Sequence, residues 1–331
     1  MIKAISYPRA AVIGNPSDGF FGKTIAFPFS NFQVEAQLNG REGILVGANV
    51  YDSLDAFNKA YSASGADPQH PLLSATLRRF YQHCNAHDIS LHGKGFEITF
   101  ESNIPREVGL AGSSAIIKAI VSTLLEYYQV RIPRELLANL ILEVETEELG
   151  IGAGLQDRVV QVFEKPVFMD FNRQQMEAYG YGEYDVLDSG LFQNLFIAYR
   201  AESAESSEVV HNDLGARFRK GDPKVHAVMG EFASLTDSFL DELKGKADPE
   251  TLGALMNRNF DLRASVCAIS SNNLEMIELA RSIGASAKFT GSGGAIIGIY
   301  QSPEMYLQLE SAFNKKGIQI FKPTIVNTDT W

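Results

Sequence analysis

Cysteine is nearly absent from this chain of 331 residues: Cys84 and Cys267 are the two. They lie far apart on helix-like stretches, neither in a metal-ligand spacing, which argues against a disulfide framework and a thiolate metal site. No uninterrupted apolar run of about 18 residues occurs, so no transmembrane helix is expected. The opening Met1-Ile2-Lys3-Ala4-Ile5-Ser6 is too soon interrupted for a secretory signal, which leaves a reducing cytoplasm as the simplest address. Positive charge is in deficit as well. A net charge of −11 argues against non-specific DNA or RNA binding, which needs a positive field facing the phosphates. Any phosphate site must then be built from local dipoles and a few basic side chains. Gly22-Lys23-Thr24 occurs, but Ser17 stands where a Walker-type loop needs its first glycine, so that loop is absent, and there is no internal repeat or low-complexity tract.

The length exceeds what one hydrophobic core comfortably serves, and 45% hydrophobic with 21% charged residues describes an ordinary globular protein, so two domains are expected. Residues 32–38 and 43–50 read as strands separated by a hairpin turn at Asn39-Gly40. Leu73, Leu77, Tyr81 and Cys84 recur at helical spacing over 71–87. Phe96, Ile98 and Phe100 alternate with polar residues as in a half-buried strand. Pro133 opens a further helix with Leu136, Leu137, Leu140, Ile141 and Val144 on one side. A new strand at 192–199 follows a reset near residue 185, and 201–207 has loop composition. Helical patterns cover 222–245, 250–268 and 273–283. The chain closes as strand, glycine loop, strand, helix, strand. The expected division is 1–185 and 186–331.

Between the strand at 96–100 and the next helix runs Pro-Arg-Glu-Val-Gly-Leu-Ala-Gly-Ser-Ser-Ala-Ile-Ile, residues 105–117. Unpaired N–H groups at the positive end of a helix dipole attract an anion. Gly109 and Gly112 let backbone approach a ligand, and Ser113 and Ser114 offer hydroxyls to phosphate oxygens or Mg²⁺. The same residues also read as a Ser-capped helix start after a glycine turn. Two further segments carry glycine and polar residues. Around Arg9 to Asp18, Asn-Pro-Ser-Asp-Gly makes a good turn, or a strand end presenting Arg9, Asn15 and Asp18 to a polar substrate. At residues 150–158, a glycine run precedes Asp157 and Arg158. Asp157 reads as a first-turn carboxylate favoured by the dipole, or as the acid that orients or deprotonates an attacking hydroxyl, with Glu145 as a metal-holding partner. Glu145, Glu147 and Glu148 read equally as a solvated face. A third loop, Gly291-Ser292-Gly293-Gly294, is a hairpin whose small residues also permit close packing against the first phosphate loop.

In this order the segments resemble the GHMP kinase superfamily. Its second motif is matched by Pro105, Gly109, Leu110, Gly112, Ser113, Ser114 and Ala115, and its N-terminal motif by Arg9, Ile13, Gly14 and Asp18. Asn15-Pro16 stand where many sugar kinases have Glu-His, a departure from galactose kinases. Residues 14–25 and 153–158 look most like the glucuronokinase branch. The resemblance implies an α+β fold of two domains, the first with a left-handed β-α-β crossover and the second ferredoxin-like. It implies ATP and Mg²⁺ as cofactors, with ATP held by Gly109, Leu110, Ala111, Gly112, Ser113, Ser114 and Ala115. It makes Ser114 and Glu145 the Mg²⁺ ligands, Asp157 the catalytic carboxylate and Arg9 its supporting cation. Asn15, Asp18, Lys23, Arg158, Gly291 and Gly293 are the expected substrate contacts. For a substrate carboxylate the candidate cations are Lys23, Arg106 and Arg158, with bidentate arginine favoured. The implied reaction phosphorylates the anomeric hydroxyl of a sugar acid, D-glucuronate first. Another acceptor hydroxyl (a neutral sugar, a heptose or a hydroxy acid) and a non-catalytic metabolite binder stay open. The implied partners are a small sugar or sugar acid, with no nucleic acid or membrane, in a monomer or homodimer.

Overall fold

The computed structural model describes residues 1–200 and 208–328; the polar stretch 201–207 lies outside the described residues. In chain order come β1 (Ile2–Ser6), β2 (Arg9–Ile13), β3 (Lys23–Pro28), β4 (Val34–Arg41), β5 (Ile44–Val46) and β6 (Asn49–Tyr51). These are followed by α1 (Leu54–Ser64), α2 (Pro71–Ala86), β7 (Gly95–Ser102), α3 (Gly112–Tyr128) and α4 (Arg134–Glu143). A π-helical turn, Val144–Glu148, extends α4 and leads to α5 (Gln156–Phe163), β8 (Val167–Asp170), α6 (Arg173–Tyr179), β9 (Glu183–Val186) and β10 (Leu195–Tyr199). Then come α7 (Glu208–Arg219), α8 (Pro223–Lys244), α9 (Pro249–Val266) and α10 (Ser271–Ser282). The chain ends with β11 (Lys288–Phe289), β12 (Ala295–Ile299), α11 (Pro303–Lys315) and β13 (Gln319–Phe321). Among the described residues no helix is long and apolar enough to cross a membrane.

The chain folds into two compact units that interleave in sequence. Unit 1 holds Met1–Tyr7, Phe32–Ile104 and Gly112–Val162; unit 2 holds Pro8–Asn31, Pro105–Ala111 and Phe163–Trp331. Unit 1 is built on a five-stranded sheet in the order β1-β4-β7-β5-β6, antiparallel except where β5 meets β7. Alternation decides which face is dry: Val34, Ala36 and Leu38 of β4 are buried while the residues between them are not. Helix α3, with Ile117, Ile120, Val121 and Leu124 buried, lies against β1 and β4. The hairpin expected at Asn39-Gly40 is not there. Both residues continue β4, opposite Glu97 and Phe96 of β7, and the chain turns at Gly43, where φ is +68°. The expected strand at 43–50 is two short strands, β5 and β6, broken at Gly47.

Unit 2 contains two four-stranded sheets, β2-β3-β8-β9 and β11-β12-β10-β13. In the second, β10 is followed after the helices by the β11–β12 pair, α11 and β13, which returns to the free side of β10. That is the split β-α-β arrangement of the ferredoxin-like expectation. Its core joins Phe196, Met276, Ile296, Leu309 and Phe313. The long helices start where acceptor side chains cap them: Asp222 on α8, Asp248 on α9, Ser270 on α10 and Ser302 on α11. Residue 185, the expected boundary, falls within β9, whose sheet β2-β3-β8-β9 lies wholly in unit 2.

Candidate active site

Within unit 1, the start of α3 and the start of α5 converge on one buried acid. Glu145 is fully buried in the π-helical turn. Its Oε1 accepts a hydrogen bond from Ser113 Oγ at 2.5 Å, and its Oε2 accepts from Arg158 Nε at 2.7 Å and also from Arg158 Nη2. Arg158 Nη1 donates to the Gly154 carbonyl at 2.8 Å and lies 3.3 Å from Asp157 Oδ2. Ser113, Glu145, Arg158 and Asp157 thus form one continuous polar chain. Asp157 keeps part of its surface, with 16% of the side chain exposed, where Glu145 has almost none. Ser114, the expected Mg²⁺ ligand, is fully buried one residue further into α3. Arg158, expected at the substrate, is 4% exposed with its guanidinium on Glu145.

Within unit 2, the loop Pro105–Ala111 places every second residue in the left-handed region: Glu107, Gly109 and Ala111 have φ of +57°, +70° and +60°. Such alternation turns successive N–H groups toward a common point, the backbone form of an anion-binding nest. The loop is clamped. Arg9, at the head of β2 and 4% exposed, donates from Nη1 to the Gly109 and Thr290 carbonyls at 2.8 and 3.0 Å. A Cβ on Gly109 would lie 2.5 Å from the Gly293 carbonyl oxygen, and one on Gly294 2.8 Å from Val108 Cα. The glycines of the third loop therefore permit the close packing against the first that their size suggests.

The frame behind these loops was not foreseen. Lys288 is buried, its Nζ donating to Ala11 O at 2.8 Å, Phe289 O at 2.8 Å and Asn15 Oδ1 at 2.5 Å. Burial, with the charges of Arg263 and Arg9, pushes its ammonium well below the usual lysine range. Arg263, 2% exposed, donates to the carbonyls of Gly291 and Ser292, each at 2.6 Å. Asn15, expected at the substrate, is buried with its amide donating toward Phe289 O and Gly291 O, while Asn259 holds the backbone of Gly14 and Asn15. A lone lysine entering an apolar strand was the available signal for Lys288; Asn259 and Arg263 gave none. Asp18 sits half-buried in the first turn of a 3₁₀ helix, Ser17–Phe20. Lys23 lies 2.9 Å from both oxygens of Asp237 and 3.4 Å from Asp170. Burial lowers its pKa, but the hydrogen bond to Asp237 and the charge of Asp170 outweigh it and raise the ammonium above its ordinary value.

The N-terminal domain model of GHMP kinases matches residues 72–165, and the C-terminal model matches 239–319. The chain belongs to the GHMP kinase family. The kinase is 40% identical to probable glucuronokinase 2 of Arabidopsis thaliana over 98% of its own length and 91% of that protein's. It is 36% identical to glucuronokinase 1 of the same plant, over 95% and 90% of the two chains. Its fold matches a galactokinase of Lactococcus lactis crystallised with galactose, at a TM-score of 0.77 and 15% identity over 98% of this chain and 93% of that one. It is thus a phosphotransferase acting on a hydroxyl, with ATP as donor. The matched N-terminal model spans the motifs around Ser113 and Asp157, and the one around Arg9 lies before it.

Proposed function

We propose that this kinase transfers the γ-phosphoryl of ATP to the anomeric hydroxyl of a sugar acid, D-glucuronate first. The single observation that carries the reading is the polar chain Ser113–Glu145–Arg158–Asp157, combined with the near full-length likeness to two glucuronokinases. A metabolite binder has no use for a buried carboxylate held against a helix N-terminal hydroxyl beside a second, partly exposed acid.

Phosphoryl transfer asks the protein for positioning and charge neutralisation more than for covalent chemistry. The amides of residues 109–115, with the N-terminus of α3, hold the ATP phosphates. The Ser113, Ser114 and Glu145 oxygens are a hard donor set that fits Mg²⁺. Among the described residues no group of three or more His, Cys, Asp or Glu is placed to hold a metal ion. Bound there, Mg²⁺ supplies charge neutralisation at the β- and γ-phosphates. Asp157 orients the acceptor hydroxyl and takes its proton, and an anomeric hydroxyl, more acidic than an ordinary alcohol, asks little of that base. Arg9 offsets phosphoryl charge, and Asp18 bonds the sugar hydroxyls. With Lys23 on two aspartates and Arg158 on Glu145, the cation for the substrate carboxylate is Arg106. It is exposed on the nest loop and makes no ion pair among the described residues. We place the enzyme in the cytoplasm.

The test is turnover of uronic acids, neutral hexoses and heptoses with ATP, alongside Asp157→Asn and Arg106→Met. Glucuronate should lead the panel. Asp157→Asn should lower kcat by about 10²–10⁴-fold in a folded protein. Arg106→Met should raise KM for glucuronate by roughly 10-fold or more, the loss of a charge-assisted hydrogen-bond pair, and spare neutral sugars. No turnover of any sugar at millimolar concentration overturns the assignment.

A further inference from the structure

Four carboxylates fall within six residues at the end of α4: Glu143, Glu145, Glu147 and Glu148. Glu145 turns to Ser113 and Arg158, while Glu147 and Glu148 turn to two consecutive arginines of α2. Arg79 Nη2 lies 2.5 Å from Glu147 Oε2 and 3.0 Å from Glu148 Oε1, and Arg79 Nη1 lies 3.7 Å from Glu143. Arg78 Nε lies 2.9 Å from the other oxygen of Glu148. Glu148 is an anchor and no solvated acid: its side chain is 8% exposed, and burial together with the Glu148 charge pushes the Tyr61 hydroxyl above its ordinary value. The Arg78 guanidinium in turn sits over the Tyr61 ring at 4.6 Å from its centroid.

The helical register makes this division possible. In an α-helix, residues three apart lie about 60° from one another around the axis, on one face. Glu145 and Glu148 would then compete for the same surroundings. Closing at i→i+5 widens that angle to roughly twice as much, and the five residues Val144–Glu148 are in that register. The carbonyl of Glu145 then accepts from Ile151 N at 2.7 Å as the chain leaves the turn. The π turn is also where function concentrates in other helices, because it re-aims one side chain.

We propose that Arg79, with Arg78, is a positioning residue for the magnesium–nucleotide site: by gripping Glu147 and Glu148 it keeps the turn in π register and so aims Glu145 at Ser113. The proposal rests on the reading of Glu145 given above. Neither arginine touches nucleotide; each acts through Glu145.

The experiment measures ATP affinity by calorimetry without sugar, once with Mg²⁺ and once with EDTA, and takes the ratio. Arg79→Met is expected to lower that ratio by roughly 10–100-fold, the usual cost of losing a residue that orients a metal ligand, with metal-free ATP affinity unchanged. Arg79→Lys, which keeps the charge and loses the fork, should fall between. A lower Tm with an unmoved ratio means a merely structural role and overturns the proposal. If Arg79→Met does not fold, Arg79→Lys and Glu147→Gln decide it, since Glu147 is half-exposed and tolerates neutralisation. Glu145→Gln separates the two readings. If it abolishes the Mg²⁺ preference while the arginine variants keep it, the arginine proposal alone fails. If it leaves the preference intact, the magnesium reading of Glu145 fails and carries the proposal with it.

Discussion

Arg158 shows how a side chain's chemistry is decided by what stands opposite it. From sequence it is a candidate for a substrate carboxylate, being an arginine beside Asp157, the expected catalytic carboxylate. In the fold it meets a carboxylate of its own chain, thirteen residues back, where water scarcely reaches. Removing one partner of such a pair strands the other as an uncompensated buried charge, at a cost of about 3–5 kcal/mol. Arg158→Met should therefore lower thermal stability markedly. A raised KM with unchanged melting would return the residue to the substrate. Lys23 follows the same logic with Asp237, 214 residues away. No local pattern announces partners at such separations, so candidate cations could be named from sequence but not assigned. Cys84 differs: it was read as a helix-face residue and is one. Burial leaves it 1% exposed and pushes its thiol up to about 11. At pH 8 the native protein should resist alkylation at Cys84, with labelling there appearing in the mass spectrum only after denaturation.

At the scale of elements, what the sequence made legible followed local chemistry. The helices α8 to α11 begin at Asp or Ser caps, three of them followed by proline, and their extents match the apolar spacing. The glycine loops were legible because small residues at strand ends have few other uses. Asn39-Gly40 misled for the complementary reason. The dipeptide favours a turn, but pairing along β7 outweighs that preference. The π turn left no trace, since Val-Glu-Thr-Glu-Glu suits an α-helix equally well, and what selects the wider register lies on α2. The loop–loop packing yields a prediction of its own. Gly294 has φ of +83° and faces Val108 Cα, so Gly294→Ala meets both strain and overlap. It should cost about 1–3 kcal/mol for the backbone alone and more once the loop shifts. Chemical denaturation measures the first effect. ATP affinity measures the second, and an unchanged affinity would mean the third loop does not shape the nest.

For the molecule as a whole, family membership and the two-domain α+β character could be read from motif order, whereas the interleaving of the two units could not, because it depends on which strands share a core. Residues 8–31 belong with the C-terminal half of the chain in unit 2. The donors that satisfy Asn15 come from Lys288, 273 residues later, and its backbone is held by Asn259. Synthesis from the N-terminus at about 5–20 residues per second leaves a delay of roughly 15–55 s between the emergence of Asn15 and that of its lysine. Through that interval β2 is on the ribosome with its polar anchor undelivered. A nascent chain of this enzyme therefore pairs its first strands early, β1 with β4 and β2 with β3, yet spends most of its birth with the bend after β2 waiting for a lysine made near the far end.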